Sequence, residues 1–116
     1  MKLLNENQQI SSYRVNVFRA LSDPIRLKIL EFLKDGERCV CEIQPVFKKS
    51  QSTVSKHLDI LYQAGILDRR FEGKSTFYRI RDSKIFRLVD EVDNFILTRI
   101  SAMVKVANAL KSSRGD

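Results

Sequence analysis

Residues 50–61 constrain this chain more than any other stretch. Val54, Leu58 and Leu61 recur at i, i+4 and i+7, which is helical spacing. Gln51, Ser52, Ser55, Lys56 and Asp59 lie off that stripe and point outward. Ser50 is a good N-cap and Gly65 a good C′ residue, so the spacing predicts a helix over about 51–64. Its exposed first turns carry short hydrogen-bonding side chains and one cation, with almost no large apolar group. That composition suits the major groove, where base edges offer donors, acceptors and thymine methyls. An ordinary solvated helix face has the same look, so the flanking segments must decide.

The net charge is +7, and its location matters more than its size. Residues 1–47 hold seven Lys/Arg against six Asp/Glu, and residues 88–116 hold four against four. Residues 48–87 hold ten against four, so nearly all the excess sits on the 51–64 helix and the segment after it. A basic stripe of that kind is the footprint of a polyanionic partner. An anionic membrane is a poorer match, because the segment lacks a basic amphipathic helix with a strong apolar face. No apolar run approaches the roughly 18 residues of a membrane span. The first residues lack the sustained apolar core of a secretory signal, so a cytoplasmic protein is expected. Two cysteines in such a chain are expected as reduced thiols rather than a staple. A chain of 116 residues makes one domain by length.

Taken in order, residues 1–10 read as a frayed start and residues 13–21 as a short helix. Ser22, Asp23 and Pro24 give a cap followed by proline, a strong helix start. Ile25, Ile29, Phe32 and Leu33 carry its stripe; Leu27 and Leu30 broaden it, which predicts the most buried helix. Residues 38–47 form a weak third helix. Valine and both cysteines are mediocre formers. Pro45 has no N–H for the carbonyl of Cys41 and biases Gln44 away from helical geometry. That helix is easiest to start at Cys41 or Glu42, with Cys39 in extended chain. Residues 66–72 and 75–81 read as strands around a Gly73-Lys74 turn, with Arg69, Arg70, Lys74, Arg79 and Arg81 making the hairpin basic. This order is that of a winged helix-turn-helix: mainly α with a small β-hairpin, its second helix in the major groove and its hairpin on the sugar-phosphate backbone. Residues 83–111 form a long last helix. Its apolar positions from Ile85 to Leu110 exceed what one small domain needs. They suit a dimer seam, the other reading being an intramolecular core helix. The expected organisation is one domain over 1–116, with a winged-helix core at 12–82 and a dimerisation helix at 83–111.

Across residues 15–82 the chain resembles the ArsR/SmtB family of small metal-sensing repressors. Four pieces carry the resemblance: residues 20–30 (Ala20-Leu21-Ser22-Asp23-Pro24 onward), Cys39-Val40-Cys41-Glu42-Ile43, residues 50–58, and Gly65-Ile66-Leu67 with Gly73-Lys74 and Tyr78-Arg79-Ile80. The second is similar to the family's metal-box motif. The resemblance implies a homodimeric repressor on double-stranded operator DNA, with no cofactor required for binding. It places DNA contacts at Gln51, Ser52, Ser55 and Lys56, with Thr53 and His57 as candidates, and wing contacts at Arg70 and Lys74.

Cys39 and Cys41 are the only thiols, and their spacing resembles the arsenic-responsive branch. Thiolates suit soft ions and metalloids, so the resemblance implies release by arsenite, antimonite or another soft metal ion. That branch often has a third cysteine where this chain has Gln44, so solvent or an exogenous thiol would complete the coordination. Residues i and i+2 share a face in extended chain but lie about 200° apart around a helix. One ion on both thiols should therefore unwind the start of the third helix. A thiol redox switch and inert packing are the other readings of the pair. An enzyme is not indicated: there is one histidine, no phosphate-cradling glycine loop and no evident catalytic carboxylate pair. A protein-interaction winged helix stays open, and steep salt dependence of duplex binding separates it from the DNA reading.

Overall fold

The computed structural model describes residues 5–113. Its contacts divide the chain into two compact units, with the break between Asp82 and Ser83. The first unit is mostly helical, with a three-stranded antiparallel sheet, and has the winged helix-turn-helix arrangement.

Helix α1 spans Glu6–Leu21, so residues 6–10 are helical where the sequence read as frayed. The reason is local. Asn5 accepts the Gln8 N–H at 2.9 Å while the Gln8 side chain accepts the Asn5 N–H at 3.0 Å. This reciprocal box satisfies two backbone donors that a helix start otherwise leaves open. Helix α2, Pro24–Phe32, starts on Asp23, whose Oδ1 accepts the N–H groups of Ile25 and Arg26 at 2.8 and 3.2 Å. Ile29, Leu30 and Leu33 are buried, but Leu27 is exposed.

The weak third segment divides as its composition demands. A two-residue strand β1, Arg38–Cys39, leads into a single α-turn α3, Val40–Ile43. A 3₁₀ turn, Gln44–Phe47, follows. Gln44 is right-handed helical (φ −57°, ψ −44°) despite Pro45, against the expectation from the following proline. Pro45 instead falls at the start of the 3₁₀ turn, where its missing N–H breaks no hydrogen bond. Lys48 then turns the chain at φ +51°.

Helix α4, Gln51–Gln63, buries Val54, Leu58 and Leu61 completely. Gly65 at φ +77° turns the chain out of it, a conformation that costs a residue with a Cβ. Strands β2, Leu67–Glu72, and β3, Ser75–Ile80, pair with Arg69 opposite Tyr78 and Glu72 opposite Ser75. Gly73, at φ +61°, supplies the positive angle that a two-residue hairpin turn needs. β1 joins the free edge of β3, placing Cys39 opposite Phe77. The third helix region and the wing are thus tied together by main-chain hydrogen bonds.

The second unit holds one helix, α5, Lys84–Ser113. It has no buried residue, and Phe95 (77%), Met103 (60%), Val106 and Leu110 are prominent among its exposed apolar side chains. No helix among the described residues is long and apolar enough to cross a membrane.

Candidate nucleic-acid interface

The N-terminal turn of α4 is organised by Ser50. Its Oγ accepts the Thr53 N–H at 3.2 Å and donates to Thr53 Oγ1 at 2.8 Å. Ser52 Oγ lies 3.2 Å from Ser50 Oγ. Gln51, Ser52 and Lys56 are exposed, and Thr53 and Ser55 are half-buried. Gln51, Ser55 and Lys74 line one cleft of about 460 Å³, which brings the helix face and the hairpin tip together.

His57 does not belong to that face. Its side chain is 15% exposed, and Nδ1 lies 3.1 Å from Arg26 Nη1. A guanidinium can only donate, so Nδ1 accepts and the ring is the Nε2–H tautomer. Arg26 also donates from Nε to the Ala20 carbonyl at 2.7 Å and from Nη2 to the Arg19 carbonyl at 3.0 Å. His57 therefore faces the junction of α1, α2 and α4 instead of groove or surface. Asp23 closes this cluster. Burial raises its carboxyl pKa, but hydrogen bonds from the Arg26 and Ile25 N–H groups, with the Arg26 guanidinium nearby, outweigh that and hold it below the ordinary carboxylate value.

The hairpin is less cationic than its composition. Arg70 is clamped by Glu37 (2.8 Å) and Glu72 (2.6 Å) and lies 4.5 Å from the centroid of the Phe77 ring. The Arg70 hydrogen bond lowers the Glu37 pKa, and the two carboxylates raise that of Arg70. Arg69 pairs with Asp59, and Arg79 and Arg81 share Asp68. Arg70 is thus held within the wing by two acids of its own chain. Lys56 and Lys74 are exposed and hold no ion pair among the described residues. Glu37, from the loop before β1, was missed as the wing's brace because it lies 33 positions from Arg70.

Cys39 and Cys41 line the same cleft as Gln51, Ser55 and Lys74. They are joined by a disulfide, in place of the expected reduced thiols. Cys39 caps α3 in extended geometry (φ −71°, ψ 147°), and its Sγ accepts the Cys41 N–H at 3.0 Å. Glu42 Oε1 accepts the Cys39 N–H at 3.1 Å. The helix starts after Cys39, so the two sulfurs meet with α3 in place. Unwinding is therefore not needed to bring them together. Among the described residues no three His, Cys, Asp or Glu side chains converge to hold a metal ion.

Residues 23–69 match the family model described as bacterial regulatory protein, arsR family. An uncharacterised HTH-type transcriptional regulator from Methanocaldococcus jannaschii is 48% identical over 80 residues, covering 66% of this chain and 90% of that one. The arsenical resistance operon repressor of Bacillus subtilis is 35% identical over 75 residues, 64% of this chain and 71% of that one. A solution structure of a homodimeric winged helix-turn-helix DNA-binding domain from Mycobacterium bovis matches with a TM-score of 0.71 and 29% identity, covering 85% of this chain and 95% of that one.

Proposed function

The chain belongs to the ArsR family of bacterial regulatory proteins, and on that premise we propose that it is a homodimeric, DNA-binding transcriptional repressor released by a thiol-directed signal. Gln51, Ser52, Ser55 and Lys56 read the major groove, with Thr53 as a further candidate, and Lys74 meets the backbone from the wing. The signal enters at Cys39 and Cys41, in their reduced form, as arsenite or antimonite. One observation carries this reading: both sulfurs line the cleft that Gln51, Ser55 and Lys74 share. Thiolates are the preferred donors for thiophilic metalloids. A relative named as the arsenical resistance operon repressor supports an arsenical as the signal. Two protein sulfurs leave the third position to solvent or an exogenous thiol. A ligand held there adds bulk beside the reading helix. A coupling of about 1–3 kcal/mol changes operator affinity about 5–150-fold.

The dimer reading rests on α5, whose apolar side chains are exposed in the single chain. A two-fold pair presents two α4 helices to half-sites about 34–36 Å apart. The disulfide supports a second reading, in which oxidation of the same pair is the signal.

Fluorescence anisotropy on a duplex from the protein's own upstream region tests these readings. Release of the reduced protein by arsenite or antimonite, lost in a Cys39→Ser/Cys41→Ser variant that still binds DNA, is the expected result. Release by peroxide alone favours the redox reading. Induction retained in the double variant sinks both.

A further inference from the structure

We propose that Cys41 undergoes reversible S-thiolation by a small carboxylate-bearing peptide thiol, which then fills the cleft between α4 and the wing and blocks DNA. The inference rests on the reading of α4 and Lys74 as the DNA surface, and adds a second ligand class at the same cysteine pair.

The two sulfurs are not equivalent. Cys39 is 5% exposed, whereas Cys41 is exposed on the cleft wall. Thiol–disulfide exchange depends on access to the sulfur attacked, so an incoming thiolate attacks Cys41 Sγ. A bond forms between that sulfur and the incoming one. The Cys39–Cys41 bond breaks, and Cys39 leaves with the electron pair. The Cys41 N–H already points at Cys39 Sγ, at 3.0 Å, and stabilises the charge that arrives. One disulfide is consumed and one is made, so no further oxidant is needed. In reverse, the Cys39 thiolate attacks Cys41 Sγ and expels the thiol; the two Cα atoms are 5.0 Å apart.

The cleft selects the adduct. Its volume of about 460 Å³ falls in the range of small-ligand sites, about 300–1,000 Å³. Gln44, Gln51 and Ser55 offer amide and hydroxyl partners to a peptide-like body. Lys74 stands at the same cleft with no acid paired to it among the described residues, while all four hairpin arginines hold carboxylates. A ligand carboxylate therefore meets Lys74. It removes from the DNA surface the cation that the wing has left, and its bulk covers Gln51 and Ser55.

Glutathione is the probe. The Cys39→Ser chain cannot expel the adduct, so treatment with oxidised glutathione should trap one tripeptide on Cys41, read by intact mass and peptide mapping. Duplex affinity at fixed salt should fall by about tenfold or more and return on reduction. Cystamine, which leaves a cationic adduct, should weaken binding far less, and Lys74→Gln should narrow that difference. Failure to modify Cys41, equal modification of Cys39 in a Cys41→Ser chain, or a trapped adduct with affinity changed less than about twofold overturns the proposal. If the unmodified, folded Cys39→Ser chain shows no salt-dependent duplex binding, the reading of the DNA surface has failed. Blocking of DNA, and with it the proposal as stated, falls too, while the mass measurement reports the exchange chemistry separately.

Discussion

At the scale of single residues, the polar side chains divide into those that build the fold and those left for a partner. Asp23 is a builder. It caps α2 and sits beside Arg26 and His57, and its carboxyl is held below the ordinary value. A group with a depressed folded pKa contributes stability above its unfolded pKa, about 3.9 for aspartate. That contribution is lost as pH falls through the lower folded value. Asp23→Ala should therefore cost about 0.5–2 kcal/mol at neutral pH, as for other N-caps. The gap to the parent chain should narrow below about pH 4. Urea denaturation at both pH values checks this; a gap that widens in acid would contradict the assignment. His57 is a builder too, through its contact with Arg26. Periodicity gives an angle around the helix, but it does not say whether a neighbour such as Arg26 waits at that angle.

At the scale of elements, α4 and the wing use their cations differently. α4 was legible because its cap, its i, i+4, i+7 stripe and its terminal glycine are all local features. The hairpin was legible in outline for the same reason, through Gly73 and the alternation of strands. Its charge was not. Glu37 reaches Arg70 across 33 positions and Asp68 reaches Arg79 across 11, pairings that depend on strand register. The salt dependence of duplex binding should separate the two kinds of cation. Lys56→Ala and Lys74→Ala should each lower the slope of log affinity against log salt by about one. Arg70→Ala and His57→Ala should leave that slope nearly unchanged and lower the melting temperature instead. A full unit of slope lost in Arg70→Ala would return that residue to the DNA surface. The same local reasoning failed at residues 6–10, where Asn5 and Gln8 form a capping box but few apolar residues accompany it.

At the scale of the whole molecule, α5 carries most of the exposed large apolar side chains. Its apolar side chains are exposed from Val92 to Leu110. Burial recovers about 25 cal/mol per Å² of apolar surface, which a second copy of the helix can supply. Replacing Ile100 and Met103 together with glutamate should place buried, unpaired charges in that seam. The chain should then sediment as a monomer, and operator binding should weaken and lose its two-site character. A double variant that stays dimeric would move the interface elsewhere. Sequence alone determined the order of elements, the helix that starts at Gln51, the turn glycines and the region of excess positive charge, because caps and periodicity act within a turn or two of chain. Tertiary structure decided which cations are spent on internal acids, that His57 faces inward, and that Cys39 and Cys41 open onto the cleft of Gln51, Ser55 and Lys74. Those facts depend on distances between segments far apart in the chain, which packing and strand register fix and local sequence does not.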